Sequence, residues 1–189
     1  MNKLIHCNNS EAIKKTCQVL QKGGIIIYPT DTIYGLGCDA KNETAIKKIN
    51  KIKNRIGPMS VIAPNKKTAL AWMKVNKNMI LKIKNKIKNG NTVIVPIKKD
   101  VCSNIITGNN HSLGIRIPEH SFCKNLTKRY PNPITTTSVN QTGQQPFTNP
   151  ANIFNYFSKM VDLIIEDGII VGNGSKIFLL KNKIWEQLR

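Results

Sequence analysis

The spacing of hydrophobic residues divides the chain into helix-like and strand-like segments that mix along its length. Apolar positions recur every three to four residues over 11–20, 42–52, 66–73, 78–87, 122–129 and 151–157, the period of a helix with one buried face. Short apolar runs at 25–28, 61–63, 92–97, 113–117, 134–137, 161–165 and 176–180 are typical of buried strands. We therefore expect an α/β fold around a substantial sheet, with an alternation too irregular for an all-parallel arrangement.

Residues that begin and end helices support several of these segments. Ser10 is a candidate N-cap for the first helix, and a pair of glycines at 23–24 would stop it. Asn42 is a candidate cap for the second helix, and the Asn-Gly pair at 89–90 would end the fourth.

Size and composition indicate one soluble globular domain spanning 1–189. Hydrophobic residues make up 40% of the 189 positions, too many for a disordered chain. No apolar run approaches the roughly 20 residues needed to span a bilayer. Residues 1–10 lack the apolar core of an export signal. We expect a cytoplasmic protein with no membrane partner.

The charge favours a polyanionic ligand without identifying it. The net charge is +19, and residues 41–99 contain sixteen basic side chains and one acid, Glu43. Such a field attracts nucleic acid or polyphosphate. However, only four of the 29 basic residues are Arg, and Asn is also abundant. An A/T-rich genome produces the same Lys and Asn excess without selection for a ligand, so both explanations stay open.

Cysteine and histidine spacing predicts no metal site. The five cysteines are scattered without a C-x-x-C pair, and the three histidines form no H-x-x-x-H pair. Neither a disulfide framework nor a zinc-binding pattern is indicated.

Four segments have residue types suited to ligand binding. The run PTDTIYGLG at 29–37 directly follows a predicted strand, and its small and hydroxyl residues would let a ligand approach the backbone. Lys53 and Arg55 at the end of the second helix suit a triphosphate or a carboxylate. Each also has an ordinary structural explanation, as a turn or as a cationic helix end.

The other two segments are strands with polar side chains. Arg116 lies in an otherwise apolar strand, so its guanidinium must pair, reach a cavity or face water. Strand alternation places Thr136, Ser138 and Asn140 on one side of residues 134–140. The P-loop, the dinucleotide G-x-G-x-x-G motif and the G-x-S-x-G elbow are not in the sequence. These features alone indicate an anion-binding α/β enzyme.

Taken together, the segments at 29–40, 53–55, 113–118 and 136–140 closely resemble the YrdC-like threonylcarbamoyl-AMP synthase family. The family's K-x-R pair corresponds to Lys53 and Arg55, and its later S-x-N to Ser138 and Asn140. The resemblance continues to the C-terminal residues and covers nearly the whole chain. It implies a twisted, mixed parallel and antiparallel sheet with helices packed on it and a basic cavity.

The resemblance also implies an activity and a set of site residues. The reaction condenses L-threonine, bicarbonate and ATP to threonylcarbamoyl-AMP and pyrophosphate, with Mg²⁺ carried on the ATP phosphates. The product supplies downstream transferases that modify tRNA, and direct tRNA contact is possible in such proteins. By matching positions, the catalytic residues are Lys53, Arg55, Ser138 and Asn140. ATP is expected to be held by Lys53, Arg55, Ser112, Ser138, Asn140 and Arg189, and threonine by Thr32, Arg116, Thr136 and Ser175.

The sequence departs from the family pattern in two places, and other functions stay open. Residues 56–60 read IGPMS where relatives continue with a Pro and a K-P-L-like stretch, and Ser175 is followed by Lys176 instead of Thr. The chain ends at Arg189, which predicts the short form without an additional C-terminal domain.

One alternative function is a double-stranded RNA, tRNA or ribosome-assembly factor using the same basic cavity. The other is a carbamoyl-transfer enzyme sharing the nucleotide-binding fold.

Overall fold

Ten strands and six α-helices form the architecture of the computed structural model, which describes residues 3–189; the first two residues of the expected 1–189 domain lie outside it. The strands are β1 (Leu4–His6), β2 (Ile26–Tyr28), β3 (Gly35–Gly37), β4 (Ser60–Ile62), β5 (Thr92–Pro96), β6 (Ser112–Arg116), β7 (Ile134–Ser138), β8 (Leu163–Glu166), β9 (Ile177–Lys181) and β10 (Ile184–Gln187). The α-helices are α1 (Ala12–Gln21), α2 (Glu43–Lys53), α3 (Lys66–Trp72), α4 (Lys77–Lys86), α5 (Ser121–Arg129) and α6 (Pro150–Phe157).

The strands form one mixed sheet in the order β1-β8-β2-β3-β7-β4-β6-β5-β9-β10. Pairings β1–β8, β2–β8, β4–β6 and β5–β9 are parallel, and the remaining pairings are antiparallel. This arrangement confirms the expected α/β fold with a mixed sheet. Within the described range, no helix is both long and apolar enough to cross a bilayer.

The two faces of the sheet bury separate hydrophobic clusters, because side chains alternate along each strand. Ile26 and Tyr28 of β2 pack with residues of α1 and α5 on one face. Ile27 belongs to the larger cluster on the other face, which includes buried residues of α2, α3, α4 and α6. Helices therefore pack on both faces, and the part of one face formed by β5 and β6 lines a cavity.

Helix boundaries agree with the sequence except at the first helix. Asn42 caps α2, with its side-chain oxygen accepting a hydrogen bond from the Ala45 N–H at 2.9 Å. The expectation that Ser10 caps α1 is wrong: Glu11 occupies that position and makes no side-chain capping bond. The Asn9 side chain instead accepts from the Glu11 N–H, which arranges the turn before the helix without a Ser cap.

The segment at 29–37 contains a strand as well as a turn. Its last three residues form β3, which pairs with both β2 and β7 and is fully buried. A Cβ atom at Gly37 would collide with the carbonyl oxygen of Thr135 on β7. Glycine here thus allows close packing of neighbouring strands, a role that its usual association with turns conceals.

Candidate functional site

A cavity of about 870 Å³ lies against one face of the sheet, where alternate residues of β5 and β6 line it. This volume lies in the range of small-molecule sites. Strands β3, β4, β5, β6, β7 and β9 and the C-terminal residues all contribute to its wall. Its charged and hydroxyl or amide lining residues are Thr30, Tyr34, Lys53, Arg55, Ser60, Thr92, Asn109, Asn110, Ser112, Arg116, Thr136, Thr137, Ser138, Asn140, Thr142, Ser175, Lys181, Asn182 and Arg189.

Small residues in register across neighbouring strands form part of the cavity wall. Ser60 of β4 pairs with Thr136 on one side and with Gly114 on the other. A Cβ atom at Gly114 would collide with the Ser60 hydroxyl. Gly35 pairs with Ser138 further along the sheet. This row leaves the space that longer side chains would fill.

Lys53 fixes the polar loop after β7. Its buried ammonium donates to the Ser138 carbonyl at 2.7 Å and to the Asn140 side-chain oxygen at 2.5 Å. The Ser138 hydroxyl donates to the same Asn140 oxygen. Asn54, which follows Lys53, adopts the left-handed conformation and ends α2 there. The K-x-R and S-x-N segments therefore form one hydrogen-bonded network.

The position of Lys53 changes its proton affinity. Burial, followed by repulsion from Arg55, lowers the pKa of the Lys53 amine to about 8. The amine thus stays largely charged at neutral pH but loses its proton more readily than an ordinary lysine.

Five cations line the cavity: Lys53, Arg55, Arg116, Lys181 and Arg189. Among the described lining residues none is acidic, and Asp31 behind the lining pairs with Arg116 alone, so the net charge of the interior is positive. The Arg189 Nε donates to the Ser175 carbonyl at 3.0 Å. Burial, followed by repulsion from Arg116, lowers the pKa of Arg189, as expected when like charges share a site.

Arg116 lies beneath the cavity surface and is only partly paired. One terminal nitrogen donates to the Asp31 carboxylate at 2.7 Å and the other to the Thr32 hydroxyl at 3.2 Å. Its Nε is buried and has no hydrogen-bond partner among residues 3–189. A buried guanidinium with an unsatisfied donor is suited to an additional anionic oxygen.

A buried hydroxyl pair lies on the same side. The Ser175 hydroxyl is 2.8 Å from that of Thr92, the first residue of β5. Thr92 is also the register partner of Arg116. These groups and Arg116 create a compact polar corner that can recognise a small molecule with both carboxylate and hydroxyl groups.

Nine of the ten predicted site residues line this single cavity: Lys53, Arg55, Ser112, Arg116, Thr136, Ser138, Asn140, Ser175 and Arg189. The tenth, Thr32, reaches the site through its contact with Arg116. Their individual roles in binding stay predictions. Sequence reasoning did not single out Asp31, Ser60 or Thr92. Asp31 lies inside the 29–37 segment, but its pairing with Arg116 depends on contact across 85 residues.

The divergent loop at 56–60 also borders the cavity. Pro58, Met59 and Ser60 line it, while Ile56 is 90% exposed. The divergent loop therefore forms part of the cavity wall.

The chain is similar to one protein-family model and to curated relatives, and these comparisons agree. Residues 18–189 match the Sua5/YciO/YrdC model, whose description is "Telomere recombination". The chain is 29% identical over 178 residues to the threonylcarbamoyl-AMP synthase of Saccharophagus degradans, covering 91% of this chain and 92% of the relative. It is also 29% identical to the enzyme of the same name from Idiomarina loihiensis, with 77% and 81% coverage.

Solved structures share the fold. E. coli YciO superposes with a TM-score of 0.87 at 23% identity, covering 98% of this chain and 93% of that one. P. abyssi Sua5 complexed with L-threonine gives 0.87 at 24% identity, covering 98% of this chain and 56% of the longer Sua5 chain. At these identities the superpositions establish the fold alone.

Proposed function

Because this chain belongs to the Sua5/YciO/YrdC family, we propose that it is a threonylcarbamoyl-AMP synthase, an enzyme of the nucleotidyltransferase type. Its substrates are L-threonine, bicarbonate and ATP, and its products are threonylcarbamoyl-AMP and pyrophosphate. Relatives with that name align over most of both chains, and the Sua5 structure of the same fold contains L-threonine.

The observation that carries the proposal is the convergence of nine predicted site residues on one basic cavity. They come from helix α2, strands β6 and β7 and four positions outside helices and strands, in both halves of the chain. Ordinary local structure therefore does not explain their meeting. The cavity is also large enough for a nucleotide together with a small amino acid. Positive charge and the lack of acids among the described lining residues favour a polyanion such as ATP.

Each substrate group has a matching part of the cavity. The threonine carboxylate would bind at Arg116, whose Nε is unpaired, and the threonine hydroxyl would lie near the Ser175–Thr92 pair. The ATP phosphates would bind near Arg55, Lys53 and Arg189. Lys53 also orders the loop of Ser138 and Asn140, which keeps this region fixed before ATP arrives.

The reaction needs positioned charge and no covalent enzyme intermediate. Bicarbonate takes up one proton and loses water to give carbon dioxide. The threonine amine then forms a bond to the carbon of carbon dioxide and releases one proton. An oxygen of the resulting N-carboxylate attacks the α-phosphorus of ATP, and the bond to the β-phosphate breaks. Arg55 and Arg189 would stabilise the charge on the leaving pyrophosphate, and binding both reactants in one cavity supplies proximity.

Mg²⁺ would enter with the ATP phosphates as part of that substrate. The described lining contains no carboxylate that could hold the ion independently, and Mg²⁺ commonly binds through substrate phosphates. The product would pass to transferases that modify tRNA, and the net charge of +19 provides an attraction for that nucleic acid.

The test is pyrophosphate release from ATP, with threonine and bicarbonate omitted in turn and threonylcarbamoyl-AMP detected by mass spectrometry. We expect release to require both substrates. Replacing Arg55 by Ala should lower turnover at least about tenfold, the scale of losing one charged contact of 1.4 kcal/mol or more.

Arg129→Ala is the matched control, because Arg129 is an exposed arginine of α5 and does not line the cavity. It should retain wild-type turnover. Folded protein that releases no pyrophosphate, or an Arg55→Ala variant with full activity, would contradict the proposal or its assignment of Arg55. Salt-sensitive RNA binding without any nucleotide chemistry would instead support the RNA-binding alternative.

A further inference from the structure

A second cluster of chemically reactive side chains lies on the β1–β8 side of the sheet and is not part of the cavity lining. His6, Cys7 and Asp167 each offer one ligand atom, and these three atoms all lie within 4.8 Å of one another. The Cys7 Sγ is 3.1 Å from one Asp167 oxygen. The His6 Nε2 is 3.9 Å from the same oxygen.

The backbone brings these residues together at one end of a parallel strand pair. His6 ends β1 and is the register partner of Glu166, the last residue of β8. The Cys7 N–H donates to the Glu166 carbonyl at 2.8 Å, which extends the pairing by one residue. Parallel pairing therefore places Cys7 and Asp167, which follow the two strands, side by side.

His120, which lies on a separate element, orients the side chain of Asp167. It caps α5, and its Nδ1 accepts a hydrogen bond from the Phe122 N–H at 3.2 Å. A neutral His120 must then carry its proton on Nε2, which lies 2.9 Å from the second oxygen of Asp167. Asp167 thus has one oxygen oriented by His120 and the other facing His6 and Cys7, the arrangement of a metal-binding carboxylate with an outer hydrogen-bond partner.

We propose that His6, Cys7 and Asp167 bind a thiophilic divalent cation of the Zn²⁺ class, with His120 as a positioning residue. One sulfur, one imidazole nitrogen and one carboxylate oxygen are three of the donor types that Zn²⁺ takes. Ligand atoms around tetrahedral Zn²⁺ are separated by about 3.3–3.6 Å when bonds have their usual lengths. The observed 3.1 and 3.9 Å separations bracket this range, so small side-chain rotations suffice.

The donor set selects among cations. Mg²⁺ and Ca²⁺ prefer oxygen ligands throughout and would gain little from Cys7 or His6. Zn²⁺ and similar cations bind sulfur, nitrogen and oxygen, so they would use all three donors. Water could take the fourth position, because half of the His6 side chain is solvent-exposed. Binding through the His6 Nε2 would remove the thiol proton of Cys7 and move the imidazole proton to Nδ1. The 3.2 Å contact from the Asn8 N–H to the His6 Nδ1 would then be lost.

A metal ion bound here would stabilise the turn after β8, which contacts a residue of the cavity wall. The Asp167 N–H donates to the Tyr34 hydroxyl at 2.8 Å, and that hydroxyl donates to the Gly168 carbonyl at 2.7 Å. Tyr34 lines the cavity. A cation that joins β1 to residue 167 therefore restrains the turn that holds Tyr34, and its expected role is structural.

The test is titration of the full chain with Co²⁺ after chelator treatment and dialysis. We expect one equivalent to bind with a thiolate-to-metal charge-transfer band in the near ultraviolet, and Zn²⁺ to displace it. Cys7→Ser should abolish the band. His6→Gln, which changes a half-exposed side chain, should weaken Co²⁺ binding at least about tenfold, and His120→Gln should weaken it by roughly 10–100-fold.

Cys17→Ser is the matched control, since Cys17 is also a partly buried free cysteine but lies on α1 outside the cluster. It should keep the band. Stoichiometric Zn²⁺ should also raise Tm for wild type and Cys17→Ser but not for His6→Gln. Absence of Co²⁺ binding, or a charge-transfer band that survives Cys7→Ser, would overturn the proposal. Normal pyrophosphate release by the metal-free chain would leave the proposed enzyme activity intact.

Discussion

At the scale of single residues, Lys53 links the structure of the site to its pH dependence. With a pKa lowered to about 8, Lys53 is charged at neutral pH and becomes neutral at mildly alkaline pH. We predict that ATP affinity declines several-fold as pH rises from 7 to 9.5, because the proposed phosphate site then loses one of its cations. Nucleotide binding measured by calorimetry across this range checks the prediction.

Lys53→Arg is the informative comparison, because a guanidinium stays charged throughout the range. Its ATP affinity should vary little between pH 7 and 9.5. Wild-type affinity that is constant through pH 8 would contradict the prediction. The free energy of unfolding should change with pH in the opposite direction to ATP affinity. In the unfolded chain, Lys53 keeps its proton up to its ordinary pKa of 10.5. The charged, buried Lys53 therefore disfavours folding below pH 8, and the penalty disappears as pH rises from 8 to 10.5.

Some residues of the candidate site could be predicted from the sequence and others could not. Arg55, Arg116 and Arg189 are conspicuous because arginine is rare in this chain. The meeting of the motifs in one cavity followed only from family resemblance, since composition gave no distances. The pairing of Arg116 with Asp31 and the His6–Cys7–Asp167 cluster could not be predicted, because each brings together parts of the chain that are 85 or more residues apart.

At the scale of elements, the side chain of Asn42 caps the helix that ends at Lys53. The Asn42 side chain satisfies the Ala45 N–H, and Lys53 is the last residue of the same helix. We predict that Asn42→Ala lowers the free energy of unfolding by about 1 kcal/mol, the usual value of a lost N-cap. Denaturant unfolding measures this change.

Asn76 offers a matched control at the start of α4. It occupies the N-cap position but makes no side-chain capping bond. Asn76→Ala should therefore change the free energy of unfolding by less than about 0.5 kcal/mol. Equal losses in the two variants would show that the Asn42 bond is not what stabilises α2.

Elements with strong periodicity were predictable, and short or glycine-containing ones were not. All six helices coincide with the predicted helical segments within a few residues. β1 contains two apolar residues and β3 one, whereas apolar runs of three or four residues revealed the equally short β2 and β4. β3 also has glycine at both ends, and only its packing against Tyr28 and Thr135 makes it a strand. β10 is largely exposed, so hydrophobicity did not reveal it.

At the scale of the whole molecule, the net charge of +19 should act differently on the two organic substrates. ATP is a polyanion, whereas threonine is a zwitterion with no net charge near neutral pH. We predict that raising the ionic strength from about 0.05 to 0.5 M increases the KM for ATP several-fold and leaves the KM for threonine nearly unchanged, because salt screens long-range attraction.

Threonine serves as the internal control in this experiment. Steady-state pyrophosphate release with each substrate varied in turn gives both KM values from one preparation. A parallel rise in the two values would mean that salt perturbs the fold or the local contacts. An unchanged KM for ATP would indicate that the surface charge has no part in catalysis and is a product of genome composition.

The order of the strands, described above as β1-β8-β2-β3-β7-β4-β6-β5-β9-β10, also constrains how the chain reaches its native state. Three neighbouring pairs, β2–β3, β5–β6 and β9–β10, are consecutive along the chain, and the other neighbours join after long separations, such as Leu4 with Ile164. Each of these long loops must close, with a loss of chain entropy, before its strands can form stabilising contacts. Folding is therefore expected to be slow. Because the cavity wall combines β3, β7, β4 and β6, a chain that has formed only its local hairpins has no substrate site. Nucleotide binding capacity therefore measures the fraction of molecules that have completed folding.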